Sequence, residues 1–275
     1  MRHALAGSAL AVILALGATT AGAFADKGEA LSSAERKTLE QVVASPTRTA
    51  ANVARDKYRH PVETLAFFGV EPDDTVVEMW PGGGWYTEIL APYVKRGGGT
   101  YYAVAPDKGL AKVRELAAAK PDLYGHIRTA PFPIGSSKEL VPAGTADVVL
   151  TFRNVHNWQM GDKPIAEDAF RQIYAMLKPG GVLGVVDHRL PETADAARET
   201  TSGYVKVSTV RRLAEQAGFR FAGESPINAN PKDSADWPDG VWTLPPVLTK
   251  GAVDRDKYLA IGESDRMTLK FVKPL

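Results

Sequence analysis

The sequence predicts an α/β protein with a doubly wound sheet of about seven strands, mostly parallel, with an antiparallel edge at the C-terminus. Two observations support this fold class. Between residues 75 and 186, short apolar stretches alternate with segments of helical pattern, as in a parallel sheet covered by helices on both faces. The last two apolar stretches, 219–223 and 267–272, have no predicted helix between them, so they can pair as antiparallel strands.

The individual elements follow from apolar patterning and from the positions of glycine and proline. Strands are predicted at 75–79, 100–105, 126–130, 147–152 and 182–186, followed by the two at the C-terminus. Helices are predicted at 86–93, 108–120, 164–177 and 208–217, the last with Ser208 as its N-cap. A turn at 178–181 is predicted to end the helix at 164–177. A further helix is predicted at 55–70, with Pro61 in its first turn.

Residues 1–25 are predicted to be a secretory signal peptide. Arg2 precedes an apolar run at 5–16, and small residues lead to the cleavage site Ala23-Phe24-Ala25. An uncleaved membrane anchor at 5–24 is the alternative, but half of that stretch is alanine and glycine, which makes it too weakly apolar to hold the bilayer well. We therefore expect a periplasmic or secreted protein, with no stable membrane span after processing.

Composition excludes several classes of function. The chain of 275 residues has no cysteine, which excludes disulfides, thiolate metal sites and a cysteine nucleophile. Removal of the predicted signal would leave 32 basic and 32 acidic residues, without a basic stripe. Nucleic acid is therefore not expected as a partner.

A glycine loop follows the first predicted strand. The strand ends near Glu78, and Gly82, Gly83 and Gly84 precede a predicted helix. Glycine is needed where backbone approaches a ligand closely and adopts angles that a side chain forbids. In open sheets of this kind, ligands bind beyond the carboxyl ends of the strands. The pattern indicates a site for a nucleotide-like cofactor.

The run from Val76 to Thr87 resembles the first motif of class I S-adenosylmethionine-dependent methyltransferases, in which an acid and spaced glycines form a strand–helix turn. Segments 101–104, 147–154 and 177–183 resemble later motifs of the family, in the family's order. The resemblance is strongest to a secreted "predicted methyltransferase" group. It implies a Rossmann-like fold, S-adenosyl-L-methionine as cofactor, and methyl transfer to a small molecule or cell-envelope component.

The resemblance also implies a domain organisation and a set of cofactor-binding residues. Helices at 26–70 would cover the site, and residues 71–275 would form the methyltransferase domain. Independently of the resemblance, the long, proline-rich stretch 225–263 is predicted to be a lid loop or a partner surface. The residues expected to bind the cofactor are Glu78, Trp80, Gly82, Gly83, Gly84, Asp107 and Asn154.

Two departures from the family pattern stand in this motif region. Trp80 occupies the position of the first glycine, and Ala105 stands where the family has an acid for the ribose hydroxyls. Asp107 is expected to reach the ribose instead. Both departures favour an alternative function, that of a non-catalytic ligand-binding protein on a degenerate methyltransferase fold. A nicotinamide oxidoreductase ranks last, since that class also expects an acid at the end of the second strand, where Ala105 stands.

The candidate catalytic residues are His156 and Asp187, which follow or end the fourth and fifth predicted strands. Histidine titrates near neutrality and suits a general base, and Asp187 is a candidate acceptor or base. Arg189 would pair with an anionic substrate or with an aspartate. No metal is expected, because His156, Asp187 and His188 lack a ligand-spacing motif. Other candidates for closing the pocket or packing on substrate are Tyr58, His60, Tyr204, Trp237, Trp242, Glu263 and Asp265.

Overall fold

The computed structural model describes residue 1, residues 31–132 and residues 141–275. Apart from residue 1, the predicted signal peptide lies outside the described residues. Within the described part of the chain, no helix has both the length and the apolar character needed to cross a membrane.

The described residues form a seven-stranded sheet that confirms the predicted fold class. Its spatial order is β3-β2-β1-β4-β5-β7-β6. The strands are β1 (Thr75–Met79), β2 (Thr100–Val104), β3 (Arg128–Ala130), β4 (Ala146–Phe152), β5 (Leu177–His188), β6 (Arg220–Glu224) and β7 (Arg266–Val272). The first five strands pair in parallel, and β7 is antiparallel to both β5 and β6. The strand order reverses between β1 and β4, which opens a crevice beyond their carboxyl ends.

Helices cover both faces of this sheet. They are α1 (Ser33–Val43), α2 (Ala50–Val53), α3 (Asp56–Arg59), α4 (Pro61–Phe68), α5 (Thr87–Gly97), α6 (Ala111–Ala119), α7 (Pro121–Tyr124), α8 (Val155–Gln159), α9 (Ala166–Met176), α10 (Val207–Gln216) and α11 (Arg255–Ile261). One apolar core includes Phe170 of α9, and the opposite core includes Phe68 of α4 and Ile89 of α5. Burial on both faces explains why the central strands are apolar almost throughout.

The predicted single helix at 55–70 is wrong, because the chain forms α3 and α4 there. His60 separates them with a left-handed backbone, at φ 40°. A residue that precedes proline is disfavoured in the helical region, because the proline ring clashes with its backbone. Pro61 therefore begins a new helix instead of continuing the first turn of a longer one.

Three further predictions about elements are corrected by the structure. Helix α10 begins at Val207, and Ser208 is not its cap, since its hydroxyl donates to Glu192 at 2.6 Å. Strand β5 begins at Leu177, so the predicted turn at 178–181 is part of the strand. Helix α11 lies between the last two strands, where no helix was predicted. The antiparallel edge forms nevertheless, because the long connection from 225 to 265 reverses the chain direction.

Candidate functional site

A cavity of about 280 Å³ lies beyond the carboxyl ends of β1 and β4. Its walls come from the glycine loop, the segment after β4, the N-terminal helices and the long C-terminal loop. The lining residues that matter below are Asn52, Arg55, Glu78, Trp80, Gly82, Gly83, Phe152, Arg153, Asn154, His156, His188 and Trp242. The cavity is near the lower end of the size range typical for small-molecule sites.

The three glycines of the loop have different roles. Gly82 and Gly83 line the cavity, and Gly82 has a left-handed backbone, at φ 57°. A Cβ atom added to Gly83 would meet no atom within 4 Å, so open space lies beside its backbone. A Cβ on Gly84 would instead come within 2.9 Å of Leu116 Cδ1. Gly84 therefore permits close packing against α6, while the other two leave bare backbone at the cavity.

Trp80, which stands at the position of the first glycine in the family pattern, adopts a left-handed backbone. Its φ is 50°, in the left-handed region that side chains other than asparagine and aspartate rarely occupy. The indole ring packs edge-on against Phe132 and Trp158, with ring centroids 6.1 Å and 6.0 Å away. This packing holds the ring as one wall of the cavity and leaves the cavity open.

Glu78 is buried at the end of β1 and lines the same cavity. Its carboxylate accepts hydrogen bonds from the hydroxyl groups of Thr87, at 2.8 Å, and of Tyr101. Burial raises the pKa of Glu78 to about 7, although both hydrogen bonds oppose that shift. This carboxyl group is therefore partly protonated near neutral pH.

The structure does not bring Asp107 to the cavity. Its side chain is 85% exposed and forms an ion pair with Arg114 at 2.7 Å. The side chain of Ala105 is buried and offers no polar group. The carboxylate that the family places after its second strand therefore has no counterpart among the described residues that line the cavity.

His156 and Asp187 form a buried pair where β4 and β5 end side by side. His156 Nδ1 lies 2.7 Å from Asp187 Oδ1. The carboxylate also accepts the backbone N–H groups of His156, at 3.1 Å, and His188, at 2.7 Å. Because an ionised carboxylate only accepts hydrogen bonds, the proton of a neutral His156 ring lies on Nδ1. Its Nε2 is then left as an acceptor on a ring that lines the cavity.

His188 packs beside this pair. Its ring centroid lies 5.0 Å from that of His156, and its Nδ1 hydrogen-bonds with the hydroxyl group of Ser264. Burial, together with the positive charge of neighbouring groups, lowers the pKa of His188 well below its ordinary value. Each of His156, Asp187 and His188 offers one atom that could bind a metal ion, and these three atoms lie within 4.8 Å of one another. In this structure the Asp187 carboxylate accepts three N–H groups from the two histidines, and the three residues form a hydrogen-bonded unit.

Asn154 and Arg153 follow β4 directly. The Asn154 amide donates to the backbone carbonyl of Met79 at 2.9 Å and to Thr151 Oγ1 at 3.2 Å, which ties the end of β4 to that of β1. Arg153 lines the cavity with φ 63°. Among the described residues, its guanidinium has no hydrogen-bond or ion-pair partner. The sequence pattern placed Arg153 in the segment that follows the fourth strand but assigned no role to it.

The remaining candidates fall in different places. Trp242 lines the cavity, and its ring lies edge-on to His156 at 6.4 Å. Trp237 and Tyr204 both bond to Asp233, away from the cavity. Arg189 forms a two-bond ion pair with Asp265, each bond 2.8 Å long. Tyr58, His60 and Glu263 line a separate cavity of about 220 Å³.

Comparisons with known proteins agree with this geometry. The methyltransferase domain family model matches residues 77–185. The fold is similar to a crystal structure of an S-adenosylmethionine-dependent methyltransferase from Aquifex aeolicus, with 14% identity, 86% of this chain and 98% of that chain covered, and a TM-score of 0.54. Residues 77–185 therefore match a methyltransferase domain family, and the described residues have the fold of class I S-adenosylmethionine-dependent methyltransferases, which confirms the resemblance.

Two other solved structures show how widely this fold is used. The [4+2]-cyclase SpnF is 14% identical, with 88% of this chain and 93% of that chain covered and a TM-score of 0.56. Human N-acetylserotonin methyltransferase, solved in complex with S-adenosylmethionine, is 13% identical, with 88% and 57% covered and a TM-score of 0.50. At these identities the likeness establishes the fold alone. A search of curated proteins found no match.

Proposed function

We propose that the protein binds S-adenosyl-L-methionine and transfers its methyl group to a small molecule or a cell-envelope component. One observation carries the proposal. The bare backbone of Gly82 and Gly83 and the buried His156–Asp187 pair line or adjoin one cavity. A site for a nucleotide-like ligand and a positioned base therefore lie within reach of a single bound pair of reactants.

The residues at the cavity fit this cofactor. Open space beside Gly83 would admit the ligand against the loop, and Trp80 and Phe152 supply apolar surface for an adenosyl group. Glu78 and Asn154 are polar residues that line the same cavity. The cofactor, when bound, would supply an electrophilic methyl group on a sulfonium centre.

The chain's own contribution to the chemistry is positioning and proton removal. Asp187 fixes the His156 ring through Nδ1, so Nε2 is available to accept a proton from a hydroxyl or amine acceptor. The aromatic wall formed by Trp80, Phe152 and Trp242 would exclude water from the reacting groups.

A second candidate function is ligand binding without catalysis. The observation that favours it is the buried Ala105, which leaves no carboxylate at the position where the family binds the ribose hydroxyls. The cyclase SpnF, which has a similar fold, indicates that this architecture is not tied to one reaction. We also propose that the protein acts outside the cytoplasm, on the strength of the signal-like residues 1–25.

The test compares His156→Gln with the unchanged chain in transfer of labelled methyl from S-adenosylmethionine to envelope extracts and small hydroxyl and amine compounds. Loss of a general base should lower the transfer rate by roughly 10²- to 10⁴-fold, with cofactor affinity unchanged. His126→Gln is the matched control, since His126 bonds to the Ala91 carbonyl away from the cavity. Equal rates in both variants would remove His156 from the mechanism. Cofactor binding without transfer to any acceptor tested would support the second candidate.

A further inference from the structure

We propose that the methyl acceptor carries an oxyanion, a carboxylate or a phosphate, and that Arg153 and Arg55 bind it at the edge of the cavity. The assignment of this anion to the acceptor rests on the proposed methyl transfer. The oxyanion site itself rests on the charges and contacts of the described residues.

Three arginines share one carboxylate behind the cavity wall. Glu263 accepts from Arg55 Nε at 2.6 Å, Arg59 Nε at 3.2 Å and Arg266 Nη1 at 3.1 Å. Burial alone would raise the pKa of Glu263, but the neighbouring arginines lower it to about 2, so it is ionised. One negative charge therefore faces three positive charges before Arg153 is counted.

Arg153 adds a fourth positive charge that has no ion-pair partner among the described residues. Burial, with Arg266 and Arg55 nearby, lowers the pKa of Arg153 to about 10, so the guanidinium still stays charged at neutral pH. Several buried N–H groups of the cluster also lack acceptors, namely Arg55 Nη2, Arg59 Nη1 and Nη2, and Arg266 Nε. Arg59 is 1% exposed, so its charge lies well inside the protein. Buried positive charge without a counter-charge is costly, which indicates an anionic ligand.

The acids close to the cavity do not neutralise this charge. Asp187 already accepts three N–H groups around His156 and His188. Glu78 bonds to Thr87 and Tyr101, and its pKa of about 7 leaves it partly neutral. Asp265, the partner of Arg189, also accepts the backbone N–H of Asn230. The positive excess therefore remains at the cavity.

The position of Arg153 favours the acceptor as the source of the anion. Arg153 follows β4 and precedes His156 by three residues, while the glycine loop follows β1. An oxyanion held by the planar fork of Arg153 would place the rest of its molecule near the His156 ring. Arg55 reaches the same cavity from the N-terminal helices and can share the anion.

Calorimetry on the full chain tests the site with inorganic phosphate and acetate as probes. Each is titrated into protein saturated with S-adenosylhomocysteine and into free protein. We expect one of them to bind, and Arg153→Gln to weaken that binding at least roughly tenfold, the effect of losing a charge-assisted hydrogen bond. The affinity of Arg153→Lys for the probe should lie between that of the unchanged chain and that of Arg153→Gln. The exposed control Arg114→Gln should bind the probe as tightly as the unchanged chain.

The rival source of the anion is the carboxylate of the cofactor itself. Methylthioadenosine lacks that carboxylate, so comparing its affinity with that of S-adenosylhomocysteine distinguishes an anion of the acceptor from the carboxylate of the cofactor. We expect Arg153→Gln to change the affinity for S-adenosylhomocysteine less than about threefold. A tenfold loss for S-adenosylhomocysteine with no loss for methylthioadenosine would overturn the proposal, as would absence of phosphate and acetate binding. If the unchanged chain binds neither S-adenosylhomocysteine nor methylthioadenosine but still binds phosphate through Arg153, the oxyanion site stands and the proposed methyl transfer fails.

Thermal unfolding tests whether Arg153→Gln still folds, so that a loss of binding is not caused by a loss of structure. Removal of a half-buried charge that lacks an ion-pair partner among the described residues should leave the melting temperature of Arg153→Gln equal to or above that of the unchanged chain. Phosphate should raise the melting temperature of the unchanged chain only, because a ligand stabilises the state that binds it. A lower melting temperature in the variant, together with an equal response to phosphate, would contradict the site.

Discussion

The two sides of the cavity are built by different means. On the β1 side, the glycine loop presents backbone, and its one acid, Glu78, bonds to its own neighbours. On the β4–β5 side, polar and charged side chains lie together: Asp187 holds His156, and Arg153 has no ion-pair partner within the described ranges. The first side has the features of a surface for a nucleotide-like ligand, and the second those of a reaction site. Variants on each side, measured for unfolding free energy and for ligand affinity, test this comparison.

The largest expected effect is on the polar side. Glu263→Gln removes the only carboxylate bound by Arg55, Arg59 and Arg266 in the described chain. Uncompensated buried charges of this kind cost about 3 to 5 kcal/mol of unfolding free energy. Chemical denaturation at pH 7 measures this loss.

The control for that measurement is Glu115→Gln, which breaks an exposed pair with Lys112. Its expected effect is below about 1 kcal/mol. Similar losses in the two variants would show that the buried cluster is not held by Glu263.

The arginine cluster also marks the limit of prediction from sequence. The strands, the glycine loop and the meeting of His156 with Asp187 follow from local patterns, because the carboxyl ends of parallel strands lie at one edge. Arg55, Arg153 and Arg266 are far apart in the chain, and no local pattern indicates that they converge. The exposed direction of Asp107 likewise depends on the fold around it, in particular on the ion pair with Arg114.

A smaller effect is expected at Glu78, on the backbone-built side. Its folded pKa of about 7 lies above the ordinary value of 4.5, so the folded state binds more protons between these two pH values. Stability should therefore fall as pH rises from about 4.5 to about 7, by at most about 3 kcal/mol. Glu78→Gln should lose this part of the pH dependence.

Denaturation curves at pH 5 and pH 8 for both proteins test the point. The difference in unfolding free energy between the two pH values should be smaller in Glu78→Gln than in the unchanged chain. Equal differences would mean that Glu78 does not hold its proton in the folded state.

The next effect compares two adjacent glycines. Gly82→Ala puts a side chain on a left-handed backbone and should cost about 1 to 2 kcal/mol. Gly83→Ala has neither a left-handed backbone nor a close neighbour, so stability should change by less than about 0.5 kcal/mol. Urea denaturation of the pair distinguishes them, and a reversed order would contradict the loop geometry.

The smallest effect is expected at Asp107. Its exposed carboxylate lies outside the cavity, so Asp107→Asn should change the affinity for S-adenosylhomocysteine by less than about twofold. A loss of tenfold or more in a calorimetric titration would show that this side chain turns inward when the ligand binds, as expected from the sequence, where Asp107 would replace the acid missing at Ala105.

The central claim is that a ligand of the S-adenosylmethionine type lies against the bare backbone of Gly83. Calorimetric titration of S-adenosylhomocysteine into the unchanged chain and into Gly83→Leu tests it most directly. We predict one-to-one binding with a dissociation constant below roughly 1 mM, and its loss in a variant that still folds. Absence of heat with the unchanged chain, or equal affinity in both, would contradict the claim.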